Sequence, residues 1–334
     1  MKMRGNKLIK IIAILGAAIA LFVSQCVIVA NGENEKIYLG GFAAGFTITT
    51  KGAEVLGLSE VVTEDGVKSP AKDAGVLPKD IIYKVNGKEI NGFEDLESSL
   101  NASKGKTVTA TINRSGEVIL KEITPVKDLS GKYKIGLFLR DKLTGIGTVT
   151  FIKGDGAFLA LGHPVCTEDD RMVEVKRGDL YACSIFGVEK GERGKAGELR
   201  GTFFQDNKIG VIKANLKVGI IGEMSLDYDK SGLREIEIGE GKIGAAEIYT
   251  TVDGVTPQKF SISIVKVDEN EKDNRNFVIK VTDKKLLSIA GGIVQGMSGS
   301  PIVQDGKIIG AVTHVFLNDP TRGFGISIEK MFEK

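Results

Sequence analysis

The sequence predicts a mainly β chain carrying one small α+β module, and three observations support this. Short Val/Ile/Thr-rich runs are punctuated by glycine, with 43 glycines against 7 prolines and no tryptophan. Helical periodicity is confined to Phe93-Leu96-Leu100 and to Lys284 through Ala290. The 334 residues exceed one ordinary domain of about 100–200 residues and suit two folded units behind a targeting segment. Hydrophobic residues at 42% and charged residues at 26% are ordinary for a chain with real cores, which argues against disorder. A formal charge of +2, from 45 basic and 43 acidic side chains, provides no field that would gather nucleic acid.

The N-terminus has the order of an export signal. Lys2, Arg4, Lys7 and Lys10 precede an uncharged stretch from Ile11 to Ala30, after which the chain turns polar at Asn31, Glu33 and Glu35. An apolar stretch of about 20 residues is long enough to span a bilayer, so retention as an anchor and cleavage both stay open. The charge asymmetry leaves the remainder outside the cytoplasm, either secreted or membrane-tethered. Residues 1–36 are therefore expected to be a signal peptide or anchor with a short linker. Cys26 falls in this segment, and bulky Gln25 before it fits a lipidation site poorly. Of the remaining cysteines, Cys166 and Cys183 read as buried thiols more readily than as a disulfide. With two histidines and no close Cys/His cluster, neither a metal nor a cofactor is expected.

Residues 37–127 read as the α+β module. A glycine-rich turn, Gly40-Gly41-Phe42-Ala43-Ala44-Gly45-Phe46, leads into the alternating Thr47-Ile48-Thr49-Thr50. Next come Ser69-Pro70-Ala71, Ala74-Gly75-Val76 and Asp80-Ile81-Ile82, then Val85-Asn86-Gly87-Lys88, where Asn-Gly signals a tight hairpin. A helix around Phe93 to Leu100 precedes two strands, Thr107 to Ile112 and Val118 to Ile123, joined at Ser115-Gly116. These runs resemble a PDZ domain of the bacterial protease-associated kind. The resemblance implies that amides around Gly45 and Phe46 capture a terminal carboxylate while the adjoining strand accepts a peptide by β-addition.

Residues 128–334 show short apolar runs between Gly, Asp and Lys turns, which suits an antiparallel barrel or sandwich. The stretch Gly291 through Val303 holds Gly296-Met297-Ser298-Gly299-Ser300-Pro301. Acyl transfer needs an exposed hydroxyl on a tight turn whose amides face a developing oxyanion, and Ser298 with the amides of Gly296 and Ser298 meets that need. The string is similar to the G-x-S-G-x-P of chymotrypsin-like proteases, which implies a double β-barrel. A base is required, and histidine suits neutral pH. His163 stands where an apolar run, Ala157 to Gly162, ends at a turn, and His314 lies in Ala311-Val312-Thr313-His314-Val315. His163 is the favoured base, while Thr313 and His314 are expected in the substrate-pocket wall.

Val281-Thr282-Asp283, Gly291 through Pro301, and Ala311 through Thr321 together resemble the stage IV sporulation protein B peptidase family, over nearly the whole chain. That resemblance implies a PDZ-bearing serine protease with an N-terminal membrane segment, exported into the space between the forespore and mother-cell membranes. It would trim itself, then cleave a membrane-associated regulatory protein and so trigger pro-sigma-K processing. It also implies a triad of Ser298, His163 and Asp283. Asp283 directly precedes a predicted helix and reads equally as its N-cap. Pro164 stands where the family usually has glycine and biases His163 toward extended angles. Two rival readings are a non-catalytic membrane-anchored PDZ adaptor and a general envelope quality-control protease, although in the latter the protease ordinarily precedes the PDZ.

Overall fold

The computed structural model describes residues 36–167 and 170–333, so the expected export segment lies outside the described residues. The chain opens with β1 (Ile37–Leu39) and β2 (Ala43–Leu58). There follow β3 (Val61–Thr63), β4 (Gly66–Lys68), α1 (Pro70–Asp73), β5 (Ile81–Val85), β6 (Lys88–Glu89), α2 (Phe93–Ser103), β7 (Val108–Arg114), β8 (Glu117–Ile123), β9 (Val126–Lys127) and β10 (Tyr133–Lys134). The next run is β11 (Leu137–Lys153), β12 (Ala157–Ala160), β13 (Val175–Glu189), β14 (Glu198–Leu216) and β15 (Gly219–Met224). The last comprises β16 (Gly244–Thr250), β17 (Gln258–Val267), β18 (Phe277–Val281), α3 (Lys284–Ala290), β19 (Pro301–Gln304), β20 (Lys307–Val315), β21 (Arg322–Ser327) and α4 (Ile328–Phe332).

The strands close into two barrels, as the glycine punctuation and lack of helical period predict. β2, β11, β12, β15, β14 and β13 form a closed circuit of antiparallel pairings. β16, β17, β18, β21, β20 and β19 form a second. Closure removes free edges and lets alternate side chains fill each interior. Ile48, Val149, Phe158, Leu180 and Ile212 belong to the core of the first, and Phe260, Ile264, Phe277, Ile302 and Val312 to that of the second.

Strand pairing corrects the expected boundary between residues 37–127 and 128–334. β1 pairs with the end of β11, Ile37 opposite Lys153. Thr47 of β2 faces Thr144 on one side and Asp179 on the other, so the first half of β2 is a barrel strand. Only from Ala53, opposite Ile82, does β2 enter the α+β module. β11 makes the reverse passage, pairing Leu137 with Leu58 before entering the barrel at Lys142, opposite Thr49. The module is thus inserted at the tip of the β2–β11 hairpin. Within it, the expected turns appear, with positive φ at Asn86 and Gly87 and again at Ser115 and Gly116, as tight hairpins need. Its core is Val55, Ile82, Leu96, Leu100, Ile112 and Ile135.

Candidate active site

The second barrel presents Ser298. Helix α3 ends at Gly291, whose φ of +75 stops it, and the chain then runs irregularly to β19. Gly299, at φ +93, passes so close to the Thr148 carbonyl and the Leu161 backbone that no Cβ would fit. This explains the glycine after the serine. Met297, fully buried, anchors the turn. Every carbonyl from Gln295 to Gly299 accepts a hydrogen bond, from Leu199 N, Thr148 Oγ1, Ser300 N, Thr148 N and Thr150 Oγ1 in turn. The amides of Met297 and Gly299 donate to Val294 O and Val312 O. Among the described residues the amides of Gly296 and Ser298 meet no backbone acceptor, which leaves them as the two donors that an oxyanion would need.

The first barrel presents His163. β12 ends at Ala160, Leu161 and Gly162 follow it at positive φ, and this turn brings Gly162 against Thr313 and Ile326 of the second barrel. The His163 Nδ1 lies 2.8 Å from the Pro164 carbonyl; a carbonyl only accepts, so Nδ1 carries the proton and Nε2 keeps its lone pair. The His163 ring lies 4.8 Å from that of His314, centroid to centroid. Burial pushes the His163 imidazole below its ordinary value, and the Pro164 contact only partly opposes it. His314 is pushed down to about 4, by burial first, then by the neighbouring His163 and Arg275. The Ser298 hydroxyl donates to the Thr313 carbonyl at 2.8 Å, so adjacent residues of β20 link the serine and the histidine pair. Ser298 thus touches Thr313 and His163 lies against His314, and the adjacent positions of Thr313 and His314 on β20 join the two pairs. Thr313 turns its own hydroxyl inward to Asn274 O, so its carbonyl rather than its side chain faces the cleft.

Asp283 is not brought to this cluster. Its Oδ1 accepts the amides of Lys285 and Leu286 at 2.9 and 3.0 Å, and Oδ2 is 3.4 Å from Ser261 N. It is the N-cap of α3, and the group that orients His163 is the Pro164 carbonyl. The expected triad acid is corrected accordingly.

Gly45 and Phe46 are also displaced from their expected role. Gly45 pairs with Ile146 on one side and Tyr181 on the other, Phe46 with Gly145 and Leu180. With both strand edges filled, no peptide can be added there, and Phe46, 8% exposed, is a barrel core residue. The module offers its groove elsewhere. A cavity of about 430 Å³ lies between α2 and the start of β11, with Leu96, Leu100 and Ile135 among its lining and Phe93, Phe138 and Val62 exposed around it. Ile135-Gly136-Leu137, with Gly136 at φ +78, forms an apolar-Gly-apolar turn at its end. Over Leu137–Arg140 one edge of β11 pairs with β2, and among the described residues the other carries no strand. The signal was present in sequence as Lys134-Ile135-Gly136-Leu137-Phe138, just beyond the expected boundary.

Cys166 and Cys183 are both free thiols. No cluster of three or more metal-ligating side chains occurs among the described residues. Nor is any helix among them long and apolar enough to cross a membrane.

Two closed barrels that meet at a serine turn and a histidine, with a peptide-groove module in the first barrel, define the architecture of a two-barrel serine protease with a PDZ domain. The family model described as SpoIVB peptidase S55 matches residues 131–332, and a PDZ domain model matches residues 54–124. The chain belongs to the SpoIVB peptidase S55 family. Similar curated proteins include a CtpA-like serine protease of Staphylococcus saprophyticus, 41% identical over 17% of this chain and 12% of that protein. A DegP-like periplasmic serine endoprotease of Bartonella henselae is 36% identical over 21% of this chain and 15% of that one. The chain thus spans less than a fifth of the length of either. Among solved structures, an HtrA-type protease with a decapeptide covers 58% of this chain and 51% of its own at 13% identity and TM-score 0.35. A Listeria monocytogenes PDZ domain covers 28% of this chain and 93% of its own at 22% identity and TM-score 0.23.

Proposed function

We propose that the chain is a serine endopeptidase with Ser298 as nucleophile and His163 as general base. The observation that carries this is the Ser298 turn, whose carbonyls are all tied back while the Gly296 and Ser298 amides stay free beside the hydroxyl. On substrate entry the Ser298 hydroxyl leaves the Thr313 carbonyl and gives its proton to His163 Nε2 as Oγ attacks the scissile carbonyl. The resulting oxyanion is held by the two free amides. The Pro164 carbonyl keeps Nδ1 protonated and supports the imidazolium. His163 then protonates the leaving amine, and water, deprotonated by the same nitrogen, hydrolyses the acyl-enzyme. Thr313 and His314 border the space where the substrate backbone would lie.

The substrate is a protein, and the groove between α2 and β11 takes an extended peptide end with an apolar side chain. Family membership and the charged, then apolar, N-terminus support the finer reading. The protein is exported, tethered or secreted, processes itself, and cleaves a membrane-associated regulatory protein to trigger a sporulation signalling step that activates pro-sigma-K processing. A fluorophosphonate probe tests the core of this proposal. Wild type should be labelled on the peptide containing Ser298, and Ser298→Ala should be folded, unlabelled and unprocessed by mass spectrometry. Absence of labelling in the folded wild type would favour the adaptor reading.

A further inference from the structure

We propose that Thr148 is a positioning residue for this site, its hydroxyl fixing the oxyanion turn of the second barrel against β11 of the first, the neighbour of the strand β12 that leads to the base. The proposal rests on the serine-endopeptidase reading. Thr148 sits on β11, is 1% exposed, and makes three bonds that meet at the cleft. Its Oγ1 donates to the Gly296 carbonyl at 2.8 Å, across 148 residues of sequence. Its amide donates to the Ser298 carbonyl at 3.0 Å. Its own carbonyl accepts the Leu161 amide at 3.2 Å, two residues before His163.

One residue therefore joins the chain that carries the base to the turn that carries the nucleophile. Gly296 needs such a restraint. At φ +93 and without a Cβ it has wide backbone freedom, and rotation of the Gly296–Met297 peptide plane would carry the neighbouring amides away from the oxyanion position. The adjacent carbonyls are held by main-chain amides, which most substitutions leave in place. The Gly296 carbonyl is held by a side chain, so here the geometry depends on residue identity. Thr150 repeats the arrangement two residues along, its Oγ1 donating to Gly299 O at 2.8 Å, so two threonine hydroxyls of one strand reach across the barrel-to-barrel seam behind the serine, beside the main-chain bonds there.

The test compares Thr148→Val, which keeps shape and main-chain bonds but loses the hydroxyl, with Thr148→Ser, which keeps the hydroxyl. Substrate turnover and inhibition by a peptide boronate are measured on the full chain. Thr148→Val should lose about 10- to 100-fold in kcat with little change in KM, a misplacement effect at preorganised donors. Boronate affinity should fall in parallel, and Thr148→Ser should restore both. Wild-type turnover in Thr148→Val, or a serine variant as poor as the valine one at equal melting temperature, would overturn the proposal. Should the valine variant not fold, Thr148→Ser against Thr148→Ala makes the same comparison. Fluorophosphonate labelling of the wild type stands as a separate control, since its failure would remove the endopeptidase reading rather than the role of Thr148.

Discussion

Asp283 receives the Lys285 amide at 2.9 Å, and that bond makes it a helix cap rather than a partner of His163. Capping by a carboxylate contributes on the order of 1 kcal/mol to stability, whereas an acid essential to a triad supports about 10⁴-fold in rate. Asp283→Asn, which still caps, should label with fluorophosphonate near the wild-type rate and melt near the wild-type temperature. Asp283→Ala should lower stability by about 1 kcal/mol with turnover largely kept. A collapse of labelling in a fully folded Asp283→Asn would return the residue to the catalytic site.

The inserted module yields a second expectation. Deleting residues 37–127 removes β1 and β2, and β2 pairs with both β11 and β13, so the first barrel should not close and the protein should be insoluble or unfolded. Excising residues 51–140 and joining Thr50 to Asp141 through Asn-Gly should behave differently, because Thr49 and Lys142 already face each other as a hairpin would require. Circular dichroism and labelling of Ser298 check this. A folded, reactive 37–127 deletion would refute the assignment of β2 to the barrel.

Two half-buried imidazoles set a pH dependence. The base must be neutral, and burial lowers His163 below its ordinary value of 6.5, so the acid limb of kcat/KM should lie below pH 6.5. Stability has the same sign. In the unfolded chain both histidines take up protons near 6.5, while His314 in the fold resists until about 4. Between those values the unfolded state binds more protons, so stability should fall as pH drops from 6.5 toward 4. Melting curves should show a shallower acid slope in His314→Phe than in wild type; identical slopes would mean that His314 is not the group resisting protonation.

What the sequence revealed of this site follows the range of each signal. Ser298 was legible because its requirements are local: a serine between glycines, before a strand. His163 was legible because only two histidines exist and one ends an apolar run at a turn. Asp283 shows the opposite case, since an Asp before a helix is fully explained by its own next three residues and nothing local ties it to a histidine. Thr148 left no trace, because threonine in a strand is ordinary and its partner is 148 residues away. Gly45 and Phe46 were misplaced for a related reason. Alternation marks a strand but not which strands flank it, and a glycine-rich turn looks the same leading into a barrel as into a peptide groove.

The relocated groove makes the final prediction. Apolar-Gly-apolar at Ile135-Gly136-Leu137 opens onto the unpaired edge of β11, and α2 stands opposite with Leu96 and Leu100 beneath. An extended peptide added there would pair with Leu137–Leu139 and place its terminal carboxylate at the Ile135–Gly136 amides, which meet no backbone acceptor among the described residues. Phe138, 61% exposed beside the groove, can be changed without a cavity, so Phe138→Glu should fold and still label at Ser298. The new charge lies in the lining of a groove that takes an anionic peptide end, and the lost ring removes apolar area worth about 1.5–3 kcal/mol if fully covered, so binding of a fluorescent peptide ending in a free Val or Leu should weaken at least tenfold. Amidating the peptide terminus should weaken binding to wild type as well, because the loop amides then meet no charge. Gly45→Ala should instead disrupt folding, since the Phe203 ring occupies the space of its Cβ. Peptide affinity unchanged in Phe138→Glu, but lost in a folded Gly45 variant, would place the groove back at the glycine-rich turn.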